Sequence, residues 1–515
     1  MTRRDLRVVV PGVVALGSVI FIVLVALDAE ARPGGGQGYS GGGGGGYSGG
    51  GGGGYSGGGS SSGGGDGAGL ILYLLLRLVI AYPAFGVPAL LIGLVFLYLR
   101  MNHANSVRQD AWSSAGPHDA PFTPRRYTDL AVLRARDPEF SVVLFEDFMY
   151  ALYARVQTAR GDRAAMAALA PYVAEATRAA LLAREPSGVP IEGVIVGAMR
   201  VCSVHNPDND ARNVRVELEF EANYSARIAG EARGHYIVER WVVERAANVR
   251  SKPPTGVYDF RCPSCGAPFE GTADGRCRFC NNEVDGGRFD WTLTRVNLVR
   301  QETVPPALTA DVAEQGTDSP TVFDPNVQRH HAALIAEDPG AAPERIEQRL
   351  RAIYRELNAA WTARDLKRAR PYVSDALFNY LAYWITAYQQ QGLRNVLEDM
   401  EISRLQFVKV TRDRHYDAIT LRFWATGRDY TVRVGDGERV SGSKSRPRAY
   451  SEYWTLIRGA TVRGAPRAPG DCPGCGAPLD RVSMAGNCEY CGAHLTRGEF
   501  DWVLSKIEQD DSYAG

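Results

Sequence analysis

Eight of the nine cysteines in this 515-residue chain fall into four Cys-x-x-Cys pairs, and the pairs form two groups of one design. The stretch CPSCGAPFEGTADGRCRFC holds Cys262, Cys265, Cys277 and Cys280; CPGCGAPLDRVSMAGNCEYC holds Cys472, Cys475, Cys488 and Cys491. Two such turns joined by a short hairpin can set four thiolates at the corners of a tetrahedron around one ion. Zn²⁺ suits that closed sulfur site, having no redox chemistry and no geometric preference of its own; an iron centre built on similar turns is the alternative. Two structural zinc ions are therefore expected. With every corner filled by sulfur, no position is left for water or substrate, so the metal is not expected to catalyse. Gly266 and Gly476 follow the first turn of each group, where a permissive backbone helps the chain double back.

Cysteines clustered in this way indicate a reducing compartment, since a disulfide framework spreads its cysteines. Cys202, in VCSV, is expected to be a small core residue. His494 lies just past Cys491, but would be a fifth ligand and is expected at the surface. His330-His331 is expected on a polar surface at a helix start. No HExxH or phosphate-binding glycine loop occurs. Glu217, Glu219 and Tyr224 could supply acid–base groups, but glutamates alternating with Val and Leu read as the solvated face of a sheet. The chain is therefore expected not to be an enzyme. Basic and acidic residues balance at 58 each, so no DNA partner is expected. Arg261, Arg276, Arg278 and Arg481 flank the cysteines without interleaved aromatics, which reads as solvated surface rather than an RNA site.

The elements around the cysteines repeat. Asp137-Pro138 matches Asp338-Pro339, Pro171-Tyr172-Val173 matches Pro371-Tyr372-Val373, and Glu239-Arg240-Trp241 matches Glu452-Tyr453-Trp454. Phe289-Asp290-Trp291 matches Phe500-Asp501-Trp502. The interval exceeds any solenoid repeat, which makes this duplication of a whole domain. Each copy begins with helical periodicity: Phe145, Phe148, Met149, Leu152 and Val156 in one, and Ile346, Leu350, Ile353, Tyr354, Leu357 and Trp361 in the other. A further helix is expected at Asp375 to Gln391. The period then becomes two, at Val214, Val216, Leu218 and Phe220 and at Ile419, Leu421 and Phe423. Other strands are expected at 193–203, 234–246, 289–300, 402–411, 449–458 and 500–507. Helices followed by an antiparallel sheet give an α+β fold, with three helices on a curved sheet in each copy.

Ahead of the repeat lie two apolar runs. Residues 8–27 are uncharged and follow Arg3, Arg4 and Arg7; they suit a signal peptide cut after Ala31 or a first membrane span. Residues 34–69 are glycine and serine with Tyr39, Tyr47 and Tyr55, a flexible tether with ends about 30–35 Å apart. Residues 70–99 suit one tilted or Pro83/Pro88-kinked span. Arg100 and Arg108 follow it, which places the rest of the chain in the cytoplasm by the positive-inside rule.

The cysteine modules resemble zinc ribbons. Asp137-Pro138 with Phe140 before an amphipathic helix, the later Pro-Tyr-Val segment and the terminal Phe-Asp-Trp strand together resemble the Tim44-like domain family, named for subunit 44 of the mitochondrial inner-membrane translocase. The second copy departs by carrying Ala341 where the first has Phe140, so its first helix is expected to dock differently. The resemblance implies a nuclear-transport-factor-two-like cone of helices on a curved sheet, no shared catalytic residues, and an anchored inner-membrane scaffold touching lipid or partner proteins. The expected organisation is a signal peptide or first span at 1–31, a linker at 32–69, a span at 70–99 and a linker at 100–124. A Tim44-like domain at 125–300 with a ribbon at 261–284 follows, then a linker at 301–332, a second domain at 333–510 with a ribbon at 471–495, and a tail at 511–515. The expected role is a scaffold on the cytoplasmic face of a bacterial inner membrane, binding membrane lipid and membrane-associated proteins. Ketosteroid-isomerase-like chemistry in the cone, or RNA or ribosome contact through the ribbons, are the alternatives.

Overall fold

The computed structural model describes residues 129–515, apart from 206–212, 255–259, 271–275, 304–313, 467–469 and a few further positions. The described residues all belong to one compact unit. Among them, no helix is long and apolar enough to cross a membrane. The expected segments at 8–27, 34–69 and 70–99 lie outside the described residues.

The first half runs through a short 3-10 helix (Leu130–Ala135), α1 (Val142–Ala159), α2 (Arg163–Ala168) and α3 (Glu175–Ala183). An antiparallel sheet follows, β1 (Ile191–His205), β2 (Asn213–Ile228), β3 (Glu231–Ala246) and β4 (Thr292–Thr303), in chain order. The second half has α4 (Val327–Glu337), α5 (Pro343–Ala363) and α6 (Asp375–Gln390). Its sheet is β5 (Leu393–Arg412), β6 (Tyr416–Arg433), β8 (Arg448–Gly459) and β9 (Val503–Gln509), with β7 (Arg439–Gly442) added to β6.

Local chemistry sets the helix ends. Ser141 caps α1 by accepting the Leu144 N–H at 3.4 Å, and Ser374 caps α6 by accepting the Leu377 N–H at 3.3 Å. Proline opens α5, and Arg364, left-handed at φ 54°, closes it. The periodic faces are buried as expected, and β2 and β6 turn their apolar alternates toward the helices. Aromatic rings occupy the space between. Tyr153 stacks on Phe220 and Trp241 at 4.6 and 4.9 Å; Tyr354 meets Phe423 and Trp454 at 5.6 and 5.8 Å. The Glu-x-Trp pairs repeat a contact, the indole N–H donating to the carboxylate two residues before it at 3.1 Å in the first half and 2.9 Å in the second. The Pro-Tyr-Val segments add a parallel bridge to the last strand, Val173 to Leu293 and Val373 to Leu504.

The halves pack unequally. Because Leu218 faces Trp241 and Leu421 faces Trp454 in register, the outer faces of the two sheets can be compared position by position. The first sheet presents Arg215, Glu217, Glu219 and Glu244, where the second presents Ala418, Thr420, Arg422 and Ile457. The first face carries ion pairs such as Arg215–Glu244 at 2.8 Å and Arg240–Glu219 at 3.0 Å. The second face is covered: Tyr416, Ala418, Ile457 and Val503 form a buried cluster with Val143 and Leu144 of α1. At the corresponding turns α5 carries Glu344, Arg345 and Arg351, of which the first two are exposed.

Several expectations are corrected by this packing. The linker expected at 301–332 is shorter, because β4 continues to Thr303 and α4 starts at Val327. Part of it is strapped to the second sheet: the Arg422 guanidinium donates to the carbonyls of Ser319 and Gly316 at 2.8 and 2.9 Å and pairs with Asp510 at 2.8 Å. The expected tail is packed as well, Tyr513 stacking on Tyr453 at 3.9 Å. Ala341 is buried like Phe140, but α4 accounts for the difference between them: His331 of α4 hydrogen-bonds the Ala341 carbonyl at 3.0 Å and stacks on Phe407 at 4.6 Å. His331 is thus interior, not on a polar surface, and only His330 remains half-buried beside the Val410 carbonyl.

Candidate metal centres

Both cysteine groups come together. The sulfurs of Cys262, Cys265, Cys277 and Cys280 lie within 4.8 Å of one another, as do those of Cys472, Cys475, Cys488 and Cys491. Cys262–Cys280 and Cys472–Cys491 are 3.8 Å apart, and Cys265–Cys277 and Cys475–Cys488 are 4.0 Å apart. A disulfide would need about 2.05 Å. A zinc–sulfur bond of about 2.3 Å puts tetrahedral sulfurs about 3.8 Å apart, so the donor sets fit zinc.

One backbone device builds all four corners. In each turn the first cysteine's carbonyl accepts the N–H four residues on: Gly266 at 2.9 Å, Asn281 at 2.8 Å, Gly476 at 2.8 Å and Gly492 at 2.8 Å. Those four residues have φ of +74°, +58°, +76° and +73°. Glycine adopts that region freely and asparagine tolerates it, so Asn281 and Gly492 do the same work as Gly266 and Gly476. Backbone N–H groups also reach the sulfurs. The Asn282 N–H pulls the Cys280 thiol down to about 7, while burial pushes Cys262 up to about 12. Burial works against ionising Cys488, yet the Cys491 and Tyr490 N–H groups bring it down to about 7.

Each module has only a small apolar core: Val284 with Phe269 and Phe289 in the first, Val482 and Leu495 with Leu479 and Phe500 in the second. Cores of that size do not hold a fold by themselves, whereas zinc in such sites contributes roughly 10–16 kcal/mol.

The Phe-Asp-Trp tripeptides join module to sheet. They were expected within the last strand but precede it, because the aspartate turns back on its own backbone: the Trp291 N–H donates to Asp290 at 2.9 Å and the Trp502 N–H to Asp501 at 2.7 Å. Phe289 and Phe500 enter the module cores, while Trp291 and Trp502 enter the domain cores. Arg245 lies over Trp291 at 4.7 Å and reaches Asp137 at 2.9 Å; Arg458 lies over Trp502 at 4.4 Å and reaches Asp338 at 2.7 Å. The Asp-Pro and Phe-Asp-Trp motifs thus meet through an arginine that sequence reading had not singled out. A glycine had also been missed. Gly287 and Gly498, at φ +75° and +72°, come so close to the ends of β3 and β8 that a Cβ would lie 2.8 and 2.9 Å from backbone atoms there.

The remaining candidates separate. Glu217 lies on the outer face, as expected; Glu219 shares that face but is buried between Arg200 and Arg240 at 3.7 and 3.0 Å, and Tyr224 is interior and accepts a hydrogen bond from Arg160 at 3.3 Å. Glu239 is fully buried in the first half, held by Gln157 at 2.6 Å, by Trp241 and by Arg184. Cys202 is half-buried, not in the core, and burial raises its pKa. His494 is half-buried beside Asp375 at 3.6 Å, and burial lowers its pKa; it helps seat the second module on α6. Arg278 pairs with Glu270 at 3.1 Å, and Arg276 donates to the Asn281 carbonyl at 3.0 Å. The Arg261 carbonyl accepts the Tyr172 hydroxyl at 2.8 Å, seating the first module on the Pro-Tyr-Val segment. Arg481 lies 5.8 Å from the Tyr490 ring. Phe279 and Tyr490, at the same place in the two modules, are 58% and 52% exposed, so each module shows solvent one aromatic ring.

No curated protein matches this chain. A solved structure described as an Ntf2 like protein involved in plasmid conjugation is similar over 71% of this chain and 96% of its own, with 7% identity and a TM-score of 0.17. The model of the Tim44-like domain matches residues 327–466, from the start of α4 to just past β8, so that part of the chain is similar to the Tim44-like domain family.

Proposed function

We propose that the protein is a membrane-anchored, non-enzymatic scaffold in which two Tim44-like domains, each stiffened by a structural zinc ribbon, bind membrane-associated proteins or lipid at the cytoplasmic face. The family match to residues 327–466 carries the reading. It extends to the first half because the Asp–Arg–Trp joint, the Glu-x-Trp contact and the Pro-Tyr-Val bridge recur there. A non-enzymatic role is supported by what the interior groups already do. Glu239 is engaged by three partners, and Glu217 and Glu219 face away from the core. The zinc ions would be held by the eight cysteines and would fix the shape of each module. The membrane anchor and the cytoplasmic placement rest on the apolar runs at 8–27 and 70–99 and on the thiolate sites, which need a reducing compartment.

Crosslinking in intact membranes, followed by purification of the full chain in detergent, tests this reading. A reproducible membrane-protein partner, or selective recovery with anionic lipid, is expected. A full chain found in the soluble fraction with neither would overturn it.

A further inference from the structure

β4, the last strand of the first sheet, has a neighbouring strand on one side only, β3. At its start the other side is closed. The Leu293 N–H donates to the Tyr172 carbonyl at 2.8 Å, its carbonyl accepts the Ala174 N–H at 2.9 Å, and the Thr177 hydroxyl donates to the Thr294 carbonyl at 2.7 Å. From Arg295 to Thr303 the backbone bonds only to β3 among the described residues. Arg295, Asn297 and Arg300 are exposed there, with Leu298 and Val299 at 45% and 54% exposure. The second half closes the same edge. β9 is shorter, none of its residues is exposed, and the chain then folds back, the Tyr513 N–H donating to the Gln509 carbonyl at 2.9 Å. An open edge with apolar side chains invites another strand, and proteins commonly guard such edges with lysine or proline. β4 has neither.

The exposed stretch is complementary to itself. Bulges leave Thr294 and Val299 without a direct partner on β3, and Val299 shifts the phase of the strand. Val296, Leu298 and Gln301 lie opposite Trp241, Glu239 and Ile237, on the helix side of the sheet. Arg295, Asn297, Arg300 and Glu302 lie opposite Val242, Arg240, Val238 and Tyr236, on the outer side. Opposed residues of an antiparallel pair share a face. A two-fold axis between Leu298 and Val299 meets that condition only because of the bulge. It sets Arg295 against Glu302, Val296 against Gln301 and Asn297 against Arg300, each pair on one face, with Leu298 beside Val299 at the centre. Arg295 makes no ion pair among the described residues, and Glu302 pairs with Arg300 of its own strand. A slip in one direction sets Arg295 against Arg300, and in the other carries it past Thr303. We infer that β4 is a dimerisation edge, on which a second copy of this chain pairs antiparallel over Arg295–Glu302 and joins two four-stranded sheets into one. The same edge serves both copies, so assembly closes at two. The pairing does not depend on which protein or lipid the scaffold binds.

The test is disulfide cross-linking and light scattering of the full chain in detergent. Residues 295 and 302 are roughly 23 Å apart along one strand, so cysteines there cannot bridge within a chain. Arg295→Cys with Glu302→Cys should give a covalent dimer under mild oxidation. Either substitution alone should cross-link no more than the wild type, which is the blank for the native cysteines. Self-association through the apolar runs ahead of residue 100 would give dimers without this cross-link. One strand makes a small interface, so a dimer Kd between about 1 and 100 µM is expected. Arg295→Glu should weaken it about tenfold, since symmetry repeats the repulsion, and adding Glu302→Arg should restore it. That rescue separates lost pairing from lost folding. The proposal fails if the wild-type chain is monomeric at about 200 µM, as it would be if the edge served only a peptide of another protein. It also fails if the double cysteine variant links no better than the single ones, if Arg295→Glu leaves the dimer as tight as before, or if the reversed pair does not recover it.

Discussion

Arg458 lies 4.4 Å above the ring of Trp502, with its guanidinium 2.7 Å from Asp338, tying the start of the second half to the joint below its cysteine module. Removing the carboxylate would leave a buried guanidinium without its counter-ion. Asp338→Ala should cost about 3–5 kcal/mol in urea unfolding of the full chain. Asp137→Ala should do the same through Arg245. Losses under about 1 kcal/mol would show that the triad is ornamental.

The same aspartate sets an acid limit. Burial alone would raise its pKa, but the Gly464 and Gly340 N–H groups and Arg458 together hold it below the ordinary value. A depressed folded pKa means that the stabilisation is complete above the unfolded value of about 3.9 and disappears as pH falls through the folded value. Asp338→Asn should therefore flatten the acid limb of a stability-versus-pH curve; an unchanged limb would refute the assignment.

Glu508 acts in the opposite sense. Burial raises its pKa, with Glu146 adding to the rise and Lys506 opposing it. Its contribution is complete below about 4.3 and is lost as pH rises through the folded value. In Glu508→Gln, stability should fall less between weakly acid and neutral pH than in the wild type, read by thermal melts across that range.

Elemental analysis should return two zinc ions per chain, and Cys265→Ser or Cys475→Ser should return one. Because each site has its own turns and core, the remaining site should keep its metal. Iron in place of zinc, or loss of both ions from either variant, would contradict this.

Gly498→Ala should destabilise the second half by about 2 kcal/mol or more, since it adds a Cβ at positive φ against the β8 backbone. An alanine variant as stable as wild type would show that the backbone there can yield.

Much of this arrangement was legible in the sequence. The cysteine spacing located both candidate centres, and the change from helical to alternating periodicity located helices and sheet, because each signal is local. The Arg245 and Arg458 links were not legible, since one arginine among many carries no mark until the fold brings it over a tryptophan. The burial of His331 depends on α4, whose first turns fall in the expected linker and whose start was expected to be a polar surface. The unequal outer faces could have been found by aligning the repeat, because Arg215 and Glu217 stand where the second half has Ala418 and Thr420. A period-two pattern fixes which residues share a face, but not which face another domain will cover.

The contact between the halves joins a helix of one to a sheet of the other, so it has no two-fold symmetry that would close it. Such head-to-tail contacts, when both surfaces recur on each unit, grow into open filaments. Here growth stops after one step. The next helix offers Glu344 and Arg345 in place of Val143 and Leu144, and the leftover sheet face is salted with paired charges. The chain carries its own terminators, and a few apolar replacements on α5 and the first sheet would turn a discrete protein into a polymer.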